Sequence, residues 1–506
     1  MWSPVARWHA FAGRKGTTPL MADSRPLVDT YGHFIDGRWV DPDAGRYNVL
    51  NPATEEPIAT APDASVGQVE DAIVAARSAF DSGRWSALDP AERSRCIQQL
   101  SDAMLSRAEE INSLAQAEWG CSANERIIHV EGPAFMVGHA AELAMEPAEA
   151  PMDAWGAAGN TLLRYEPLGV VSILTPWNFP HTLNAMKVGA ALAAGNTVVL
   201  KPSPLTPLAG LALARIIDEE TDIPAGVVNV VTPTSVEASR VLTVDPRVNL
   251  VSFTGSSAVG RSVMAGAAET MKRILLECGG KSASIVTEDA DIDDELLQRL
   301  LFEGCTLHAG QACILNSRLL VPDALHDEIV GGLVDAASRT VTGDPSDPDV
   351  TMGPLISREH LDRVEEFVAQ AERDGATVVT GGARPKHLDK GFYFEPTIIT
   401  GATADSYIAQ EEVFGPVLTV LRYRDDDEAV AIANNSQYGL GGAVWGSDVE
   451  RALAIARRIR TGQVSINGTI PGDAPFGGFK QSGIGREGGV MGLRSYMEPK
   501  AIGVPA

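Results

Sequence analysis

The chain has 506 residues, 44% hydrophobic and 21% charged, enough for roughly two to four globular units with real cores, which excludes disorder as a class. Acidic residues outnumber basic ones 66 to 41, for a net charge of −25 and a pI near 4.8. Such a field repels phosphate backbones and anionic lipid, so neither nucleic acid nor membrane is expected as a partner.

Residues 1–22 differ from the rest: they carry Arg7, Arg14 and Lys15 and no acid, with Trp2, Trp8 and Phe11 but no continuous apolar stretch. They do not form a secretory signal, and a weak transit-peptide reading stays open. The preferred expectation is a disordered or adventitious extension, with the folded protein beginning near Met21. From about 65 to 145 the chain reads as helical scaffold: Val69 to Phe80 has apolar residues at helical spacing, and Asp89-Pro90-Ala91-Glu92 is an N-cap followed by Pro and Glu in the first turn. The longest uncharged run, Pro167 to Met186, has bilayer-spanning length but contains Pro176, Asn178, Pro180, His181 and Asn184, which makes it strand and loop.

Four buried strands follow, Gly169 to Leu174, Thr197 to Lys201, Gly226 to Val231 and Asn249 to Phe253, separated by helical segments. This α/β rhythm predicts a doubly wound nucleotide-binding sheet with ligand at the carboxyl ends of its strands. A second α/β series runs from about Glu277 to Thr469, with strands near Arg318 to Val321 and Val417 to Tyr423 and a helix near Asp448 to Arg460. No repeat or low-complexity linker separates the two series, so two interleaved domains are expected. Five cysteines, Cys96, Cys121, Cys278, Cys305 and Cys313, form an odd set without a CxxC pair, and nine histidines include no HExxH. A disulfide framework, a zinc ribbon and a zinc-hydrolase ligand set are all unsupported; no metal is expected, and a reducing cytoplasm fits best.

Gly255 to Ser262, after a strand and opening a helix, offers free N–H groups to a pyrophosphate. It is one residue from a P-loop, but Arg261 replaces the phosphate-reaching Lys, and taken alone it reads first as a plain strand-to-helix turn. Thr175-Pro176-Trp177-Asn178-Phe179-Pro180 holds an amide rigidly at the mouth of the same sheet. Asn178 there suits an oxyanion hole, although an Asn making its own turn is the ordinary alternative. Leu276-Glu277-Cys278-Gly279-Gly280-Lys281 sets a carboxylate beside glycines that admit a ligand closely and leave the acid mobile. Gly310-Gln311-Ala312-Cys313 sets a thiol at a helix boundary, where amide donors favour thiolate. A lone cysteine is usually a small buried hydrophobe, and a lone Glu is usually surface charge.

Together these segments resemble the aldehyde dehydrogenase superfamily. Further matches are Phe34-Ile35-Asp36-Gly37-Arg38-Trp39, Asn51-Pro52-Ala53-Thr54, Glu411-Glu412-Val413-Phe414-Gly415-Pro416 and the run from Pro475 to Glu487, so the likeness covers roughly residues 30 to 500. The resemblance implies a Rossmann-like dinucleotide-binding domain (23–148 and 167–276), an interleaved α/β catalytic domain (277–486) and an oligomerisation arm with its tail (149–166 and 487–506). It implies oxidation of an aldehyde to a carboxylic acid, with Cys313 as nucleophile, Asn178 and the Cys313 N–H as oxyanion hole, and Glu277 as the base that hydrolyses the thioester. Glu277 favours the hydrolytic branch over the coenzyme A-acylating one. The cofactor contacts it implies are Thr175, Pro176, Trp177, Lys201, Ser203, Gly255, Ser256, Gly279, Glu412 and Phe414; Trp177 and Phe476 would line the substrate tunnel.

Two departures from the family pattern stand out. Pro204 occupies the place of a ribose-binding Glu found in many NAD-preferring members, yet no added Arg or Lys recruits a 2′-phosphate; NAD is expected and NADP is not excluded. The interval from Glu277 to Cys313 is a residue or two long, with the surplus expected in the intervening helix. His308 near Cys313 raises the alternative of a thiol hydrolase or esterase on the same cysteine, which would have no use for a nucleotide sheet or for Glu412. A catalytically dead relative is disfavoured because Asn178, Glu277 and Cys313 are all present. An apolar aliphatic or aromatic aldehyde is the expected substrate, and further copies of the chain, as dimer or tetramer, are the expected partners.

Overall fold

The computed structural model describes residues 31–152, 159–469 and 471–505; the expected extension 1–22 lies outside the described residues, as do 153–158 of the expected arm. An eight-stranded sheet forms one half, in the spatial order Gly483–Ile484, Arg273–Glu277, Leu250–Thr254, Val170–Leu174, Thr197–Lys201, Val228–Val230, His33–Ile35 and Arg38–Val40. Its five central strands are parallel. Val170–Leu174 is buried at every position, as a strand covered by helices on both faces must be.

From Val170–Leu174 the chain builds outward through Thr197–Lys201 and Val228–Val230, then crosses back to Leu250–Thr254 and Arg273–Glu277. The strand order reverses between Val170–Leu174 and Leu250–Thr254, and the crevice at such a reversal is where ligands bind. The third strand starts at Val228, later than the apolar run implies, because Gly226 turns with φ 80°. The opening Phe34 to Trp39 motif is a hairpin turned at Asp36-Gly37, with φ of 50° and 71°, the geometry an Asp-Gly pair favours.

The second, seven-stranded sheet runs Thr377–Thr380, Thr397–Thr400, Val417–Tyr423, Arg318–Pro322, Ala283–Val286, Gly442–Trp445 and Ser465–Ile466, parallel except at its first edge. The two halves exchange chain. Gly483–Ile484, which follows the second sheet in sequence, pairs antiparallel with Arg273–Glu277, setting Gly483 opposite Glu277. A three-stranded sheet joins Glu149–Met152, Gly159–Pro167 and the terminal strand Met497–Pro505. Among the described residues no helix is long and apolar enough to cross a membrane.

Candidate active site

The helix Asp294–Leu301 runs into a π-helical turn, Phe302–Thr306, the kind of turn by which a helix absorbs an extra residue. His308, Ala309 and Gly310 then adopt left-handed φ values of 49°, 51° and 78° in succession. A Cβ on Gly310 would lie 2.0 Å from the Gly415 carbonyl, so only glycine fits there. The two non-glycine residues hold strain that their surroundings must over-determine. Buried Gln311 does much of this: its Nε2 donates to the carbonyls of His308 (3.0 Å) and Pro354 (3.2 Å), and its Oε1 accepts from the Ile356 N–H at 2.9 Å. Half-buried Cys313 emerges from this braced turn.

Asn178 stands in the loop after Val170–Leu174. That loop is held by the Thr175 N–H on the Lys201 carbonyl (3.1 Å) and by Thr175 Oγ1 on Asn184 Oδ1 (2.7 Å). Asn178 is buried, and its Nδ2 donates to the Gln311 carbonyl at 2.8 Å, so the amide and the nucleophile turn are joined directly. Its second N–H remains to serve a ligand oxygen. Trp177, expected at both cofactor and tunnel, packs edge-on against Phe414 and His360 at 5.3 Å each. The aromatic ring beside the nucleophile turn is Phe179, stacked on His129 at 4.8 Å and 5.3 Å from His308.

Glu277 ends its strand 3% exposed, with neither carboxylate oxygen paired. A Cβ on Gly477 would come within 2.7 Å of its Oε1, so the Gly-Gly segment after Phe476 crosses directly over the acid. Phe476 is held there by paired backbone hydrogen bonds to Glu487, at 2.6 and 2.7 Å. Burial raises the Glu277 carboxyl well above the usual range; Glu487 adds to the rise, and Lys187 and Arg486 oppose it. Glu487 in turn pairs with Lys187 at 2.5 Å, both within 2% of full burial. Lys187 also reaches Ser252 Oγ at 3.1 Å. Sequence reasoning missed this pair, although one signal was present: Lys187 is the sole formal charge in the helix Pro180–Ala193, and a cation inside an apolar helix needs a partner.

The Cys313 environment corrects one expectation. Burial pushes its thiol up to about 12, Glu412 and Glu277 add to the rise, and the Cys313 and Ile314 N–H groups oppose it without prevailing. Amide donors alone do not make this cysteine a thiolate.

Several of the expected cofactor residues stand at or just beyond the carboxyl ends of the parallel strands. Burial lowers Lys201 to about 8, and among the described residues its Nζ meets only the Pro202 carbonyl, at 3.2 Å. Ser203 Oγ is engaged by the Leu205 N–H (3.2 Å) within its own turn. The Gly255 N–H donates to the Glu277 carbonyl (3.0 Å), and Ser256 caps the helix Ser257–Ala268, its Oγ accepting from Val259 N–H at 3.3 Å. The first-turn N–H groups have no partner within such a helix and suit a phosphate. Arg261, the P-loop rival's substitute for Lys, is spent on Gln481 at 2.8 Å. Glu412 accepts the Gly280 N–H at 2.9 Å, and a Cβ on Gly279 would collide with its other oxygen at 2.2 Å. Phe414 has φ 62°, and its carbonyl meets His360 Nε2 at 2.6 Å. With spare ammonium hydrogens, open helix N–H groups and a carboxylate oxygen along one crevice, these residues fit a dinucleotide.

Comparisons with known proteins show the family. The model of the aldehyde dehydrogenase family matches residues 39–502. A betaine aldehyde dehydrogenase of Bacillus subtilis is 39% identical over 477 residues, covering 93% of this chain and 96% of the relative. A geranial dehydrogenase of Castellaniella defragrans is 38% identical, with 94% and 99% covered. The crystal structure of betaine aldehyde dehydrogenase from Staphylococcus aureus in complex with NAD+ superimposes with a TM-score of 0.90 at 36% identity, covering 94% of each chain. The chain belongs to the aldehyde dehydrogenase family and is an oxidoreductase of the α/β fold which that family shares.

Proposed function

We propose that this chain oxidises an aldehyde to its carboxylic acid with NAD, Cys313 acting as nucleophile, Asn178 as oxyanion donor and Glu277 as base. The observation that carries this reading is the 2.8 Å hydrogen bond from Asn178 Nδ2 to the Gln311 carbonyl, which ties the amide to the turn bearing the thiol. The Staphylococcus aureus relative was solved with NAD+. Here Lys201, the first turn after Ser256 and Glu412 would hold NAD, which when bound supplies the hydride acceptor.

Cys313 loses its proton to solvent, its thiolate attacks the carbonyl carbon to give the thiohemiacetal anion, and the negative oxygen accepts from Asn178 Nδ2 and the Cys313 N–H. After oxidation the acyl group remains on Cys313 as a thioester. Glu277, unpaired and raised by burial, takes a proton from water as its oxygen adds to the thioester. Collapse of that adduct expels the Cys313 sulfur, which takes the proton held by Glu277, and releases the acid. Glu487, held beside Glu277 by its pairing with Lys187, adds to the rise that burial gives the base.

The aromatic rings of Phe476, next to the glycine that crosses Glu277, and of Phe179, 5.3 Å from His308 in the nucleophile turn, support an apolar aliphatic or aromatic aldehyde as substrate. Self-association runs through the sheet of Glu149–Met152, Gly159–Pro167 and Met497–Pro505, where exposed Met152 and Val504 await cover. Five unpaired cysteines agree with a reducing cytoplasm. A steady-state screen of short, long, aromatic and amino-aldehydes with NAD and NADP in parallel tests the assignment through kcat/KM. Absence of turnover with every aldehyde, or retained oxidation by Cys313→Ser, would overturn it.

A further inference from the structure

Behind the nucleophile turn lies a buried polar cluster that the proposed chemistry does not use. Cys121, Glu125 and His129 each bring one ligand atom within 4.8 Å of the others, and of their donor atoms His129 Nε2 alone has no partner among the described residues. Cys121 Sγ points to the Ser122 carbonyl at 3.5 Å, and His129 Nδ1 accepts from Trp119 Nε1 at 3.1 Å. That bond leaves the proton of a neutral ring on Nε2, which cannot then ligate a metal.

The carboxylate of Glu125 is divided. Its Oε2 accepts the Ser122 N–H at 3.0 Å, closing a capping box within its own short turn, Ala123–Glu125. Its Oε1 accepts the N–H of His308, 183 residues further along the chain. His308 opens the left-handed turn before Cys313, and its carbonyl receives Gln311 Nε2. Glu125 and Gln311 therefore grip the same residue from opposite ends of its backbone.

We propose that Glu125 is a positioning residue for thioester formation: by accepting the His308 N–H it holds the left-handed turn that sets Cys313 against the Asn178 amide. The inference rests on Cys313 being the nucleophile. What the turn requires is an oxygen at that reach rather than a negative charge. Burial raises the Glu125 carboxyl to about 7, against the pull of the His308 and Ser122 donors, so protonated and ionised forms coexist near neutrality and each offers an acceptor. A displacement of the thiol by about 1 Å is enough to cost on the order of a hundredfold in rate.

Two conservative variants separate reach from charge. Glu125→Asp keeps the charge and retracts the oxygens by one methylene; Glu125→Gln loses the charge and the Ser122 N–H bond, since an NH2 replaces that acceptor, but keeps an oxygen at the same reach for the His308 N–H. The readouts are the rate constant of the first-turnover NADH burst, the rate of Cys313 alkylation by iodoacetamide and the NAD dissociation constant. Glu125→Asp is expected to slow burst and alkylation about tenfold or more with NAD affinity held within about twofold, whereas Glu125→Gln stays within about threefold of the parent rate. Wild-type rates in Glu125→Asp, equal damage in both variants, or loss of NAD affinity in step with rate would each overturn the proposal. The nucleophile reading fails separately, if the alkylated wild-type enzyme keeps its aldehyde oxidation.

Discussion

Replacing Glu277 by Gln removes the base and leaves its shape, and the structure determines which step suffers. The carboxylate is buried with neither oxygen paired, its proton affinity raised first by burial and then by Glu487, against Lys187 and Arg486. Only the deprotonated form takes a proton from water, so on the acid side of the raised pKa the deacylation rate should climb about tenfold per pH unit. General-base catalysis contributes about 10²- to 10⁴-fold, and the Gln variant should lose steady-state turnover by that amount. Its first-turnover NADH burst should persist, because acyl transfer to Cys313 does not use Glu277. Stopped-flow absorbance of NADH from acid to alkaline pH separates the two phases. In the wild-type enzyme both phases rise with pH, the burst through the Cys313 thiol and the steady state through Glu277; in Glu277→Gln the second limb should flatten and the first remain. A variant that turns over at the wild-type rate, or that loses its burst together with its turnover, refutes the assignment.

Asn178→Ala removes an oxyanion donor and leaves the Gln311 carbonyl without its partner, so burst rates should fall about 10²- to 10³-fold while NAD affinity measured by fluorescence titration holds. Gly310→Ala forces a side chain into left-handed backbone and against the Gly415 carbonyl; strain of about 1–3 kcal/mol plus a displaced turn should slow Cys313 alkylation more than it lowers the unfolding temperature. Lys187→Met leaves buried Glu487 without its cationic partner and should destabilise the chain by about 3–5 kcal/mol, read as a faster thermal inactivation rate. Lys187→Met combined with Glu487→Leu should recover most of that loss, since the buried charge goes with its partner.

Several features were legible in the linear order of residues because local rules decide them. The all-apolar run Val170–Leu174 is a strand buried on both faces, and Asp89-Pro90 caps a helix as its residue types require. Gly279, Gly310 and Gly477 sit at positions where a Cβ would meet Glu412, Gly415 or Glu277. Trp177, which the resemblance places at both cofactor and tunnel, packs its ring on Phe414 and His360, contacts that local rules do not specify because a loop side chain's direction depends on neighbours remote in sequence.

By itself, then, the sequence determined an α/β enzyme of the aldehyde dehydrogenase family and the identity of its nucleophile, amide and acid candidates, since periodicity, glycine placement and motif order are properties of the chain as written. Tertiary structure alone decided their electrostatics. Lys187 meets Glu487 across 300 positions and Glu125 meets His308 across 183, and neither contact has a local signature. The Cys313 thiol stands near 12 rather than depressed because desolvation and the charges of Glu412 and Glu277 outweigh two local N–H groups. Those terms depend on burial and distance in three dimensions, which residue types and spacings do not specify.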